Sequence, residues 1–446
     1  MVRTRRQRTG ADHLPTELLE MIVQNLHKDR KALKTCSLLS RKWLSLARPH
    51  LHREAFLRGK EDLKRWKALI KSCPAIATRY LKSVEVYSEQ EADRGFFLKM
   101  PPLPSVTELK WLGGLWRVTK DLRRFVGSFP SLEVLEVSGP FASPATLQEF
   151  LLLFSRLKSV SFSALNCGMP IPLLRSSTKF DVSQLERVAF GLPALRHHYD
   201  FDDLALFMLE TPSTHNLKSL SVECDSVSNE AITAVLASCA HSLEHFKLSP
   251  PSDLDHVTKD LYAQYELPKP HIPALPKLRR IGFGPISEHK DSDHTFPILG
   301  WVLDLIGEIG PREQVSAIQL HFYVDMEADS VEGFFNCMDW KPTTEALAKA
   351  FPNAQEVVVR ITTEVCVSDA LARTYEERLQ GDWAQSGLHV CIDWDDGSLR
   401  HGNTEEMKAK LHALLGALAS ESHGWGLDYD SADSWGSDSD IFDDLE

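Results

Sequence analysis

A short apolar pattern recurs along this chain and constrains its fold more than any other feature. Each copy contains an apolar residue, two others, an apolar residue, one other and a final apolar residue, as in LKSVEV and LRRIGF. One copy means little, because about 8% of windows in such a chain would match by chance. The copies recur, however, 25 to 39 residues apart, and begin at Leu81, Val106, Leu132, Leu157, Leu185, Leu217, Leu243, Leu278, Val315 and Ala354. This recurrence predicts a repeated structural unit.

The residues around the copies indicate what this unit is. Several copies follow an entry such as Pro130-Ser131 or Asn216 and precede Gly, Pro, Ser or Asp, which is typical of a strand bounded by turns. Segments with helical periodicity separate the copies, at 145–154, 229–240, 296–309 and 344–351. Strands that alternate with helices predict an α/β fold, in which helical returns join parallel strands.

A repeat with this leucine spacing resembles the leucine-rich repeat, which implies a curved parallel sheet with outer helices. The Asn or Cys ladder of that family is missing, because its positions hold Glu89, Pro140, Leu165 and Asp225. The later spacings also exceed the usual range of about 20 to 29 residues. We therefore expect an irregular solenoid over 79–400, with long loops towards its C-terminal end. The alternative is a non-repeating α/β domain.

The beginning of the chain has a different pattern. Leu14-Pro15 and the acidic Glu17 predict a helix start. Proline is tolerated in the first turn because the N–H that it lacks would have no intrahelical partner there. A broad apolar stripe follows, at Leu18, Leu19, Ile22, Val23 and Leu26. Residues 31–47 continue in the same way until Pro49, which predicts the end of the helical region. The stripe is wider than so small a unit can cover by itself.

The segment LPTELLEMIVQNL…ALKTCSLLSRKWLSLARPHLHRE resembles the F-box in the form common in fungal proteins, over residues 12–56. The resemblance implies a three-helix module that binds a Skp-type adaptor and, through it, a cullin scaffold. Carried over position by position, it implies adaptor contacts at Leu14, Pro15, Leu18, Leu19, Ile22, Leu33, Cys36, Leu39 and Trp43. Some of these side chains must instead fill the module's own core. The alternative is a helical cap on the next domain, with the same stripe turned inward.

Alternate residues of each predicted strand point away from the buried leucines, because successive side chains switch faces. Charge of both signs, with aromatic and imidazole groups, suits a surface that recognises a protein or peptide substrate. For any single residue, a solvated polar position is the simpler interpretation. The outward set is Glu85, Tyr87, Lys110, Glu136, Arg187, Glu223, His245, Lys247, Arg280, Gln319, His321, Glu356 and Arg360.

The remaining segments complete the predicted organisation. Residues 1–11 form a basic arm and 421–446 an acidic tail, and we expect both to be disordered. The tail has eight acidic residues from Asp428 to Glu446 and no Lys or Arg. A helical linker is expected at 57–78. A helix at 401–420, capped by Thr404, would close the open end of the solenoid.

Composition and missing motifs argue against several functions. A net charge of -12 argues against a general nucleic-acid binder. No apolar stretch follows the basic arm as in a signal peptide, and the most apolar internal segment, 296–309, is too short for a membrane span. These features predict a cytosolic or nuclear protein without a membrane partner. The cysteines form no C-x-x-C pair, and Asp393, Asp395 and Asp396 lack the spacing of a calcium loop, so we expect no metal. The three aspartates fit a strand end and turn better than a calcium loop.

No nucleophile elbow, phosphate loop or dinucleotide fingerprint occurs, so neither an enzyme nor a cofactor is expected. The sequence predicts a substrate-receptor subunit of a ubiquitin ligase, in which the F-box binds the adaptor and the solenoid recruits a protein. The alternative is a non-catalytic repeat scaffold without ligase function.

Overall fold

The fold is that of a computed structural model. It describes residues 14–27, 29–88, 100–115, 117–167, 184–191, 209, 212–223, 229–249, 269–288, 297–309, 312–324, 334–335, 340–363, 367–384 and 387–396. The predicted basic arm, the helix at 401–420 and the acidic tail lie outside these ranges.

Three helices follow the Leu14-Pro15 start, as predicted: α1 (Thr16–Asn25), α2 (Arg30–Leu39) and α3 (Arg41–Leu51). Asp29 caps α2, because its carboxylate accepts a hydrogen bond from the Ala32 N–H at 2.9 Å. Ser40 has an extended backbone and caps α3. The helices share their own hydrophobic core, formed by Leu19, Val23, Leu26, Leu33, Cys36, Trp43 and Ala47.

Pro49 does not end the helical region, and this prediction was wrong. It lies in the last turn of α3, which continues to Leu51. Proline at this position removes only the N–H that would bond to Ser45, and the His52 N–H still donates to the Arg48 carbonyl at 3.1 Å. The cost of one lost hydrogen bond is small so close to the end of a helix.

A twelve-stranded parallel sheet follows, and its strands are hydrogen-bonded in the order of the sequence. The strands are β1 (Glu54–Leu57), β2 (Ser83–Ser88), β3 (Glu108–Gly113), β4 (Val134–Phe141), β5 (Ser159–Cys167), β6 (Arg187–Gly191), β7 (Ser219–Glu223), β8 (His245–Ser249), β9 (Arg280–Glu288), β10 (Ala317–Val324), β11 (Glu356–Thr363) and β12 (His389–Asp396). Each of β2 to β11 begins two residues after the start of one copy of the apolar pattern. The predicted parallel α/β arrangement is confirmed.

The sheet is longer than the pattern predicts. It begins at Glu54, inside the segment assigned to the F-box, and not at 79. The signal of β1 is hidden because His52 occupies the first apolar position of its copy, and Gly387 does the same for β12. The region predicted as a helical linker contains the end of β1, helix α4 (Lys60–Ser72) and a π-turn at Ile76–Tyr80.

Helices return the chain between several strands. The four segments with helical periodicity overlap α6 (Pro144–Leu151), α7 (Asn229–Cys239), α8 (Pro297–Ile309) and α9 (Trp340–Ala350), and α9 begins four residues before its predicted segment. Helices α5 (Lys120–Val126) and α10 (Asp369–Trp383) were not predicted. The inward side chains of the sheet and these helices form one hydrophobic core that extends from Ala55 to Val390.

Backbone hydrogen bonds also join the residues that immediately precede the strands. The N–H of Lys158 donates to the carbonyl of Glu133, and the N–H of Glu186 donates to the carbonyl of Lys158, both at 2.8 Å. The same bond links equivalent residues of consecutive strands from Lys82 to Gln355. Main-chain groups satisfy one another here, so the side chains at these positions are free to vary.

Candidate functional site

The three-helix module carries most of the exposed large hydrophobic residues of the described chain. Five large hydrophobic residues are exposed among the described residues, and four of them lie on α1 and α2. They are Leu18 (45% exposed), Met21 (58%), Leu38 (86%) and Leu39 (39%). We call these four residues the apolar helix surface. Exposed apolar side chains concentrated in so small a module make it a candidate binding surface.

The predicted adaptor contacts divide into two groups. Leu19, Leu33, Cys36 and Trp43 are at most 3% exposed and pack in the core of the module, so they cannot contact a partner in this conformation. Leu14 and Ile22 are partly buried against that core, whereas Pro15, Leu18 and Leu39 are exposed. Met21 and Leu38 were not among the predicted contacts. Their apolar character was visible in the sequence, but their orientation was not.

One hydrogen bond connects the start of α1 with the junction of α2 and α3. The Lys42 ammonium, in the first turn of α3, donates to the carbonyl of Leu14 at 2.8 Å. Leu38 and Leu39 end α2 just before this junction, and Leu18 lies one turn beyond Leu14. This bond therefore fixes the first turn of α1 relative to the leucines that end α2.

The sheet presents the predicted outward residues in aligned rows. Glu85, Lys110 and Glu136 are matched across β2, β3 and β4, and Lys110 forms an ion pair with Glu136 at 3.5 Å. Tyr87 follows Glu85 on β2, and the Arg58 guanidinium lies 5.4 Å from the centre of its ring. A hydrogen bond with Glu85 raises the pKa of the Tyr87 hydroxyl.

Further rows cross the second half of the sheet. Arg187, His245 and Arg280 are exposed and occupy one row on β6, β8 and β9. Gln319 on β10 is partly buried, and Glu356 on β11 is exposed. Glu223 belongs to β7, but its side chain is not among those that the structure describes.

A polar cluster connects β8 with β11. The Lys247 ammonium reaches across β9 to Nδ1 of His321, at 3.4 Å, and Nε2 of the same ring is 2.9 Å from the Thr362 hydroxyl. Gly282 separates Lys247 from β10 in this row, so no side chain blocks the path. Burial, together with Lys247 and Arg360, lowers the pKa of His321 to about 4. The ring is therefore neutral near pH 7, which suits acceptance of a hydrogen bond from an ammonium.

Arg360 is held beside this cluster by an ion pair. Its Nε and Nη2 both donate to Oδ2 of Asp393 on β12, at 2.9 and 2.6 Å. The parallel register matches His321, Arg360 and Asp393 across β10, β11 and β12. The sequence predicted that Asp393 would lie at a strand end, but not its pairing with Arg360.

A polar cleft of about 570 Å³ opens at the amino ends of β6 to β9. Its lining includes Lys158, Glu186, Lys218 and Glu244. Lys218 pairs with Glu186, and Lys158 pairs with Glu133, both at 2.8 Å. These charges neutralise each other along the edge of the sheet, so the cleft has the character of a structural ion-pair ladder.

No group of three or more potential metal ligands occurs among the described residues. Burial raises the pKa of the Cys36 thiol to about 11 and that of Cys239 to about 12, which makes both poor nucleophiles. In the described part of the chain, no helix has the length and apolarity needed to cross a membrane.

Comparison of the chain with protein-family models finds no match, and comparison with curated protein sequences finds none either.

Proposed function

We propose that this chain is a substrate-receptor subunit of a Skp-cullin-F-box type ubiquitin ligase. Helices α1 to α3 are an F-box that binds the Skp-type adaptor, and the sheet with its returns is an irregular leucine-rich-repeat-like solenoid that recruits a protein substrate. The observation that carries the proposal is the apolar helix surface. It lies on a module whose sequence resembles the F-box from Leu14-Pro15 onward.

The exposure of the apolar helix surface supports the proposal that a partner binds there. Leu18, Met21, Leu38 and Leu39 are 39 to 86% exposed although the module has only a small core of its own. Covering a leucine or methionine side chain completely contributes about 1.5–3 kcal/mol. A partner that covers all four therefore gains binding energy and stabilises the module at the same time.

The sheet supports the second part of the proposal. Its outward face displays charged, aromatic and imidazole groups on consecutive parallel strands, whereas its inward face is continuously apolar. A receptor of this kind requires no nucleophile, since it acts by holding a substrate near a ubiquitin-transfer enzyme.

Reconstitution with purified components tests the proposal. The full chain, a Skp-type adaptor and a cullin-RING core are combined with proteins recovered from a cell extract on the immobilised chain, and ubiquitin transfer to these proteins is followed. We expect transfer that requires the chain and is lost in the Leu18→Ala/Leu38→Ala variant.

Two results would count against the proposal. Stable binding of the adaptor without transfer to any recovered protein would favour a scaffold without ligase function. Failure of the purified chain to bind the adaptor would remove the F-box assignment itself.

A further inference from the structure

The outer face of β6 to β9 carries a concentration of positive charge. It lies on different elements from the apolar helix surface of α1 and α2. Two rows of matched positions cross these strands. Neither row contains a carboxylate, although Glu186 and Glu244 lie one residue before β6 and β8, and Glu223 ends β7. We call these eight positions the β6–β9 face: Arg187, Ser219, His245 and Arg280 in the first row, and Ala189, Ser221, Lys247 and Gly282 in the second.

The two arginines of this face are accessible. Both Arg187 and Arg280 are exposed, and within the described part of the chain neither forms an ion pair. The cations Lys110 and Arg360 on other strands are matched, since Lys110 pairs with Glu136 and Arg360 with Asp393. Positive charge on the β6–β9 face is therefore available to an anionic partner.

The remaining positions leave room for a peptide backbone. Ala189, Ser219 and Ser221 carry small side chains on β6 and β7, whereas Gly282 on β9 is covered by the Lys247 side chain that crosses it to reach His321. Burial and the neighbouring Arg280 lower the pKa of His245, so this ring adds a neutral hydrogen-bonding group near pH 7. The face therefore combines small, weakly polar side chains with one arginine on each of its outer strands, β6 and β9.

We propose that the β6–β9 face binds an extended acidic peptide segment of a partner protein. This inference rests on the proposed function, in which that partner is the recruited substrate. Arg187 and Arg280 are three strands apart, and neighbouring strands are separated by about 4.8 Å, which gives about 14 Å. An extended chain covers this distance in about four residues. The spacing suits a segment that crosses the strands with carboxylates four residues apart.

A peptide fits the rest of the chain better than a nucleic acid does. The net charge of -12 repels a long polyanion away from the face, whereas a short acidic segment meets only the local cations. Segment 428–446 of the chain itself, with eight acidic residues, has the same chemistry and is a competing occupant.

Fluorescence anisotropy with the full-length chain tests the inference. The probe is a labelled peptide of about twelve residues, with Glu at every fourth position and Ser or Gly between, and its control carries Gln in place of Glu. We expect binding of the Glu peptide only, weakened about tenfold by Arg187→Gln/Arg280→Gln. The Lys349→Gln/Arg373→Gln variant makes the same change of net charge at exposed positions on α9 and α10, and should bind within about twofold of the wild type.

Each other outcome overturns the inference. Equal weakening by both double variants would show an effect of net charge alone. Tighter binding of a thymidine oligonucleotide than of the Glu peptide would assign the face to nucleic acid. Binding that appears only when the acids of 428–446 are changed to amides would assign it to that segment.

The peptide assay does not involve the adaptor, so its failure and failure of the proposed function are distinguishable. The Leu18→Ala/Leu38→Ala variant should bind the Glu peptide like the wild type. If the chain binds the peptide as expected but never binds the adaptor, only the ligase assignment fails. If it binds the adaptor but not the peptide, only the acidic-peptide inference fails.

Discussion

Replacing Leu38 with alanine separates a partner-binding role of the apolar helix surface from a structural one. Leu38 is 86% exposed, more than any other large hydrophobic residue in the described part of the chain. Alanine is the better helix former and little packing is lost, so the free energy of unfolding should change by less than about 0.5 kcal/mol. If the adaptor covers this side chain, losing its burial costs about 1.5–2 kcal/mol of binding free energy. That corresponds to a 10- to 30-fold higher Kd.

Calorimetric titration of the purified chain with a purified Skp-type adaptor measures this effect. Leu152→Ala is the matched control and should leave the Kd unchanged, because Leu152, at 38%, is the exposed large hydrophobic residue that the described part of the chain has outside the helical module. Leu33→Ala is the structural comparison, since Leu33 is 1% exposed and its truncation should destabilise the module by about 2–5 kcal/mol. A Leu38→Ala variant that binds like Leu152→Ala would refute the reasoning.

The remaining predictions concern the sheet and its stability. Gly284→Ala should destabilise the chain by about 2–4 kcal/mol in urea unfolding, because φ is +109° and the new Cβ would overlap the His321 carbonyl oxygen. Gly300→Ala, in α8 where a Cβ meets open space, should instead stabilise it by about 0.5–1 kcal/mol; equal effects would contradict this account. Burial lowers the pKa of His52 and His321 from 6.5 to about 4, so the unfolded chain gains protons first and stability should fall as the pH drops from 6.5 towards 4. His321→Gln should reduce that loss by about 2 kcal/mol at pH 5, and an unchanged pH dependence would exclude the role of this ring.

The strands were predictable because each repeats a pattern that burial enforces. The apolar positions of LKSVEV become Leu81, Val84 and Val86, all fully buried, and the same spacing recurs in β3 to β11. The two end strands were missed for a local reason. His52 and Gly387 stand where the pattern expects an apolar side chain, yet backbone pairing with β2 and β11 still completes the strands.

The candidate surface was less predictable, because composition does not show which side of a helix faces inward. Leu18 and Leu19 are adjacent and chemically identical, but they are 45% and 0% exposed. Successive helix residues are rotated by about 100°, so the packing of α1 on α3 decides which of the two a partner can reach. The pairing of Arg360 with Asp393 likewise depends on a strand register that the sequence does not display.

The most direct test of the central claim compares the proteins that co-purify with two forms of the full-length chain from cells. Point variants are needed because β1 begins at Glu54, so deletion of residues 1–56 would cut into the sheet. Quantitative mass spectrometry should recover a Skp-type adaptor and a cullin with the wild type, and lose both with Leu18→Ala/Leu38→Ala while other partners are retained. Recovery of the adaptor with both forms, or with neither, would contradict the account.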